Sequence, residues 1–219
     1  MRGVMADLRR FGLRVSLATA ATEAVLVGGL VVMDELRKRR EGPKEGFPWV
    51  DQPEIGLESG DDRLKLYPYG VDLYEAMLDE IEGAQERIFL GTFIWKGDEL
   101  GRRFVSALAK KAREGVEVYV VFDGLANFFV PPSFKRFPEE IHTLHFRPFS
   151  EPTSYANPRH AFRYHRHVMS VDGRVAFLGG YNIGSLYAAG WRDTHVGIRG
   201  RVVHEVESSF VDFWNAHHT

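Results

Sequence analysis

The chain has 219 residues, 44% of them hydrophobic and 26% charged, the balance of a globular protein rather than a disordered or collagen-like one. Twenty-eight Lys and Arg against thirty Asp and Glu leave a net charge of −2, so no basic excess points to bulk nucleic-acid binding. Cysteine is absent, which excludes disulfides, zinc fingers, iron–sulfur clusters and thiol catalysis.

Val15 to Met33 carries thirteen apolar residues, two glycines and one charge, Glu23. Nineteen helical residues span about 28 Å, close to a bilayer core. Arg9, Arg10 and Arg14 precede the run and Arg37 to Arg40 follow it, flanks that suit anionic headgroups. Residues 1–41 therefore read as a basic segment with a membrane-anchor helix; the rival reading is an amphipathic or core helix. Residues 42–61 are rich in Gly, Pro and acids and read as a linker. Residues 62–219 read as the main domain.

In that domain Arg63–Tyr69 alternates like a strand. Val71–Gly83 has Leu73, Met77, Leu78 and Ile81 on one helical stripe. Arg87–Trp95 predicts a strand, Leu100–Gly115 an amphipathic helix, and Val116–Phe122 a buried parallel strand, being almost all β-branched or aromatic. Ile141–Arg147 predicts another strand. His167–Val171 and Arg174–Leu178 flank Asp172-Gly173, a strong hairpin signal. Thr194–Ile198 predicts a strand and Val202–His217 a closing helix. Alternating strands and helices imply an α/β fold, a mixed sheet flanked by helices, with chemistry near strand ends such as Asp123-Gly124.

Asn127–Phe137 interleaves four phenylalanines with Lys135 and Arg136. That composition suits either a loop dipping into a lipid interface or a packed roof over the sheet.

The residues that carry chemistry lie between 163 and 193. His165 and His167 are two apart, which on a strand places them on one face, and Arg163 shares that face if the strand starts early. Asp172 sits at the hairpin turn. Gly179 and Gly180 allow a close approach, Asn182 can donate an amide N–H to an anion, and Asp193 opens a further strand. An imidazole beside a carboxylate, with cationic and amide donors near, describes an activated nucleophile next to an oxyanion clamp. His-x-His is also metal-ligand spacing, which His160, His195 and Asp193 would complete.

These positions resemble the phospholipase D superfamily, whose signature is HxKxxxxD, then GGxN or GSxN, then a downstream acid. Here they are His165, His167 in the lysine position, Asp172, Gly179, Gly180, Asn182 and Asp193. The phrases GGYNIG, WRDTH and VDFWNAHH resemble the bacterial cardiolipin synthase branch, and the likeness covers about residues 63–219. The resemblance implies a phospholipase D-like domain and phosphatidyl transfer without metal or cofactor. It makes His165 the nucleophile that forms a phosphohistidine, Asn182 a phosphoryl-oxygen ligand, and Asp193 the acid that orients the His165 ring. It implies a phospholipid substrate such as phosphatidylglycerol, a bacterial membrane location, and no nucleic-acid partner. Lipid or nucleic-acid hydrolysis is the alternative.

Two departures stand out. A lysine is charged at neutral pH, whereas free histidine titrates near 6.5, so His167 serves as a cation only if a bound anion raises it, with Arg163 as a compensating charge. Arg166 should point away. The chain also carries one motif where the branch carries two, which implies a homodimer, a complementary second half, or a half that binds a partner without turnover.

Overall fold

The strands are built from locally consistent signals. In β3 (Arg87–Thr92) and β4 (Glu117–Asp123) apolar residues run almost without interruption, as strands covered on both faces require. The other strands are β1 (Gly56–Ser59), β2 (Asp62–Tyr67), β5 (His142–Phe146), β6 (Val168–Val171), β7 (Val175–Gly179) and β8 (His195–Arg199). The helices are α1 (Gly70–Glu82), α2 (Glu99–Arg113), α3 (Ser185–Ala189) and α4 (Val203–His217). This computed structural model describes residues 56–124, 126–127, 130–131, 134–146 and 163–218, together with Val25, Gly29, Met33 and Leu36, each of which is helical and exposed where its burial is given. The anchor expected at residues 15–33 otherwise lies outside the described residues, as does most of the expected linker. Among the described residues no helix is long and apolar enough to cross a membrane.

The strands form one sheet in the order β1-β2-β8-β7-β6-β3-β4-β5. β3, β4 and β5 are parallel; every other pairing is antiparallel. Alternation along each strand divides the core between two faces. Ile88, Leu90, Val118, Val120, Met169 and Phe177 join α1 and α2 in one cluster. Phe89, Val121 and Tyr164 meet Phe210 of α4 on the opposite face.

The hairpin between β6 and β7 turns as Asp-Gly predicts. Asp172 and Gly173 have φ of 53° and 65°, and the Arg174 amide donates to the Val171 carbonyl at 3.0 Å. Its Asp172 carboxylate reaches across to the entry of β3. There it accepts the backbone amides of Gln85, Glu86 and Arg87, each at 2.9 Å.

Two elements differ from the sequence reading. Gly56–Ser59, inside the stretch read as linker, pairs with Arg63 and its neighbours as an edge strand. A short helix, α3, follows Asn182; the Asp98 carboxylate that caps α2 through Gly101 also accepts the Ser185 amide at its start. The Phe-rich loop is a roof at the two aromatics described in full. Phe134 packs on the core, and Phe137 lies 5.1 Å from Trp95 and 5.6 Å from Phe122, ring centre to ring centre. Phe128 and Phe129 lie outside the described residues.

Candidate active site

Antiparallel pairing brings the site together. Val168 opposes Gly91 on β3 and Leu178 on β7, and Gly179 opposes His195 on β8. The start of β6, the end of β7, the start of β8 and the ends of β3 and β4 therefore share one edge of the sheet. His165, His167, Gly179, Gly180, Asn182 and Asp193 all sit at this edge. Asp172 does not: it lies beyond the other end of β6, four strand residues or roughly 13 Å away. Its contacts are those of a latch.

His165 is exposed. Its ring centre lies 4.3 Å from that of Phe93 and 5.2 Å from that of His167. His167 is only 8% exposed, and neither ring nitrogen has a hydrogen-bond partner. Burial first, and the neighbouring His165 second, push its pKa down to about 4; the Asp193 charge and the Tyr181 backbone act in the opposite direction without restoring it. His167 is thus a neutral imidazole at neutral pH. A ring enclosed by the sheet edge loses the solvation that a charge needs, so the cationic role expected of His167 depends wholly on the field of a bound anion.

The strand that would place Arg163 on the histidine face does not extend that far. β6 begins only at Val168, so residues 163–167 are not strand, and the Arg163 guanidinium is held by Asp123 at 3.1 Å. Asp123, fully buried at the end of β4, also accepts the Tyr164 amide at 3.1 Å and the Ala126 amide at 2.7 Å. It thereby fixes the segment that delivers His165. Arg166 does turn away, donating to the Ser209 carbonyl and hydroxyl of α4.

Asn182 is anchored through its Oδ1, which accepts the Ile94 amide at 2.8 Å. That bond turns the amide N–H₂ into the free end, the end able to meet an anion. Asn127, which the sequence reading did not single out, braces the same loop. It accepts the Trp95 amide at 2.8 Å and donates to the Phe93 carbonyl at 2.8 Å and the Asp123 carbonyl at 2.7 Å. Together the two asparagines set Phe93 against His165.

The two glycines have a steric reason. A Cβ at Gly180 would collide with the Asp193 carboxylate, and one at Gly179 with His195 and the Thr194 carbonyl. Asp193 bonds through Oδ1 to the Thr194 amide at 2.8 Å, and its own amide donates to the Tyr181 hydroxyl at 3.0 Å. These bonds run to its neighbours rather than to His165, while its field falls on His167. His195 is 3% exposed; its Nδ1 accepts the Tyr181 amide at 3.2 Å, which puts the ring proton on Nε2. Burial and His167 push its pKa down to about 3. Among the described residues no three acidic or histidine side chains converge as a metal ion would need.

The family profile described as "Cardiolipin synthase, PLD-like domain" matches residues 77–214, which contain this whole edge. The chain belongs to that family. It is 35% identical over 160 residues to a cardiolipin synthase of Clostridium perfringens, covering 69% of this chain and 33% of that protein. It is 34% identical over 170 residues to the major cardiolipin synthase ClsA of Bacillus subtilis, covering 73% and 35%. The chain thus spans about a third of the length of the curated relatives it matches. Among solved structures it shares its fold with NucT from Helicobacter pylori, at 12% identity and a TM-score of 0.57 over 71% of this chain and 97% of that one. The phospholipase D family member Nuc from Salmonella typhimurium follows the same fold, at 17% identity and 0.52 over 70% and 93%. The α/β fold expected from the sequence is therefore the phospholipase D-like one.

Proposed function

We propose that this chain carries half of a phosphatidyl-transfer site at a bacterial membrane, with phosphatidylglycerol as donor and acceptor and cardiolipin plus glycerol as products. The observation that carries the reading is the convergence at one sheet edge of an exposed imidazole, an oriented amide N–H₂ and a carboxylate set over a glycine pair. A lone pair of His165 attacks phosphorus, and the P–O bond to glycerol breaks. A second histidine protonates the departing oxygen, leaving a phosphatidyl-histidine. That histidine then takes the proton of the incoming alcohol, whose oxygen displaces His165. Asn182 donates to a phosphoryl oxygen as charge develops there. Asp193 acts on the imidazole pair by its field, favouring the charged form that His165 takes as it bonds phosphorus.

The second histidine belongs to another copy of the chain or to a complementary half, since one such motif is present here. The N-terminal run and its basic flanks supply the anchor.

The test is turnover of phosphatidylglycerol vesicles by the full chain in the presence of chelator, wild type beside His165→Ala. Cardiolipin from wild type alone supports a transfer site completed by a second copy. Phosphatidic acid in its place makes water the acceptor. Equal silence from both, in a preparation shown to be dimeric, overturns transfer by like copies and leaves a half that needs a different partner.

A further inference from the structure

A groove of about 240 Å³ opens beside His165 along the α4 side of the sheet. His165 and His167 contribute to it from the reacting edge. Val168 and Leu178, a directly paired couple on β6 and β7, form its sheet wall. Val206 and Phe210 of α4 form the other. Beyond the histidines the polar side chains of the lining are Arg166 and Ser209, which bond to each other. The Arg166 guanidinium donates to the Ser209 carbonyl and hydroxyl oxygens, both at 3.1 Å, and lies 5.4 Å from the centre of the Phe213 ring.

This arrangement discriminates between substrate classes. A sugar or base edge placed against Val168, Leu178, Val206 and Phe210 would bury hydroxyl or amide groups against side chains that offer no hydrogen bond. A hydrocarbon meets no such penalty there and gains by leaving water. The volume holds about eight groups of water size, at about 30 Å³ each, enough for one short run of chain.

We infer that this groove is the subsite for the start of an acyl chain of a glycerolipid whose phosphodiester lies at His165. The inference rests on the phosphatidyl chemistry proposed above and adds which side of the site receives the hydrocarbon. It assigns Val168, Leu178, Val206 and Phe210 to binding, a role separate from that of the imidazoles.

The experiment is a titration of the full chain, with valine and leucine methyl groups labelled for NMR, using two probes. One is dihexanoyl phosphatidylglycerol held below its micelle concentration. The other is glycerophosphoglycerol, the same headgroup without chains. The lipid is expected to shift the methyls of Val168, Leu178 and Val206. It should also bind on the order of tenfold more tightly than the headgroup, the worth of about two buried methylenes at roughly fourfold each. Val206→Phe, which narrows the groove, should erase that preference; if this variant does not fold, the wild-type comparison alone decides. Equal binding of the two probes without groove shifts overturns the groove and leaves the phosphate site standing. Binding of neither overturns the phosphatidyl reading together with the groove. Groove shifts that follow protein concentration and ignore lipid give the surface to a second copy, and also overturn the inference.

Discussion

Removing the Asp172 carboxylate separates a structural role from a chemical one. That carboxylate holds three backbone amides at 2.9 Å, tying the β6–β7 hairpin to the entry of β3. Burial works against its ionisation, yet those amides and the Arg174 charge hold the carboxyl below its usual range. A hydrogen bond to a charged acceptor contributes about 1.5–3 kcal/mol, but two of the three lie close to solvent, so together they are worth about 3 kcal/mol. Alanine at a φ of 53° adds about 1 kcal/mol of backbone strain. Asp172→Ala should therefore cost about 4 kcal/mol, Asp172→Gly about 3, and Asp172→Asn, which tolerates this φ and keeps one acceptor, about 1–2. At about 2–4 °C per kcal/mol for a chain of this size, the alanine variant should melt roughly 8–16 °C below wild type by scanning calorimetry. Below their melting temperatures all three should turn over as wild type does, because the residue lies at the opposite end of β6 from His165. An alanine variant that melts with wild type refutes the latch; one that melts normally and is inactive places Asp172 in the chemistry.

The buried imidazoles make stability sensitive to acid. His167 and His195 titrate in the fold at about 4 and about 3, below the 6.5 of the unfolded chain, so the unfolded state binds more protons as pH falls through 6.5. Their contribution is complete above 6.5 and is lost downward; by pH 5 each has given up about 2 kcal/mol, on the order of 4 in all. Urea unfolding at pH 7 and pH 5 measures this, and equal stabilities would contradict it. The same neutrality bears on rate. Above pH 6.5 the pH–rate profile of His167→Gln should run parallel to that of wild type, whatever its height. A fall confined to wild type would mean that His167 works as a cation after all.

The strands, the hairpin and the long helices were legible because their signals are local. Unbroken β-branched runs mark β3 and β4, and Asp-Gly between apolar runs marks the turn at Asp172. That His165, His167, Gly179, Gly180, Asn182 and Asp193 would be neighbours was legible because the order β6, β7, β8 folds a linear motif onto one edge, from which Asp172 alone is excluded. What was hidden depends on partners distant in sequence. β1, Gly-Leu-Glu-Ser, is too short for a strand pattern of its own and takes its order from β2. α3 starts on a cap from Asp98, 87 residues earlier. Arg163 reads as a free cation until Asp123, 40 residues earlier, is seen to hold it. The neutrality of His167 follows from enclosure, which no spacing reports. Asn127 gave one faint sign, an amide four residues past the end of a buried strand.

Charge and stoichiometry point to one remedy. Of the cations that precede the reacting edge in the described stretch, Arg163 is held by Asp123 and Arg166 by Ser209 and the Phe213 ring. Burial favours the neutral form of His167, so on the proposed function a phosphoryl group at His165 would face the Asn182 amide but no unengaged cation from residues 163–167. A transition state that gathers negative charge on phosphoryl oxygens needs such a cation, and preorganised charge in a dry site is the strongest means of supplying it. On the proposed function, the partner that contributes the second histidine faces the same phosphoryl group from the opposite side. A cationic group on that partner would stand where the described residues 163–167 offer none. Completion of the site would then bring the proton donor and the missing positive charge in one association, and the isolated chain would bind a phosphodiester more readily than it would cleave one.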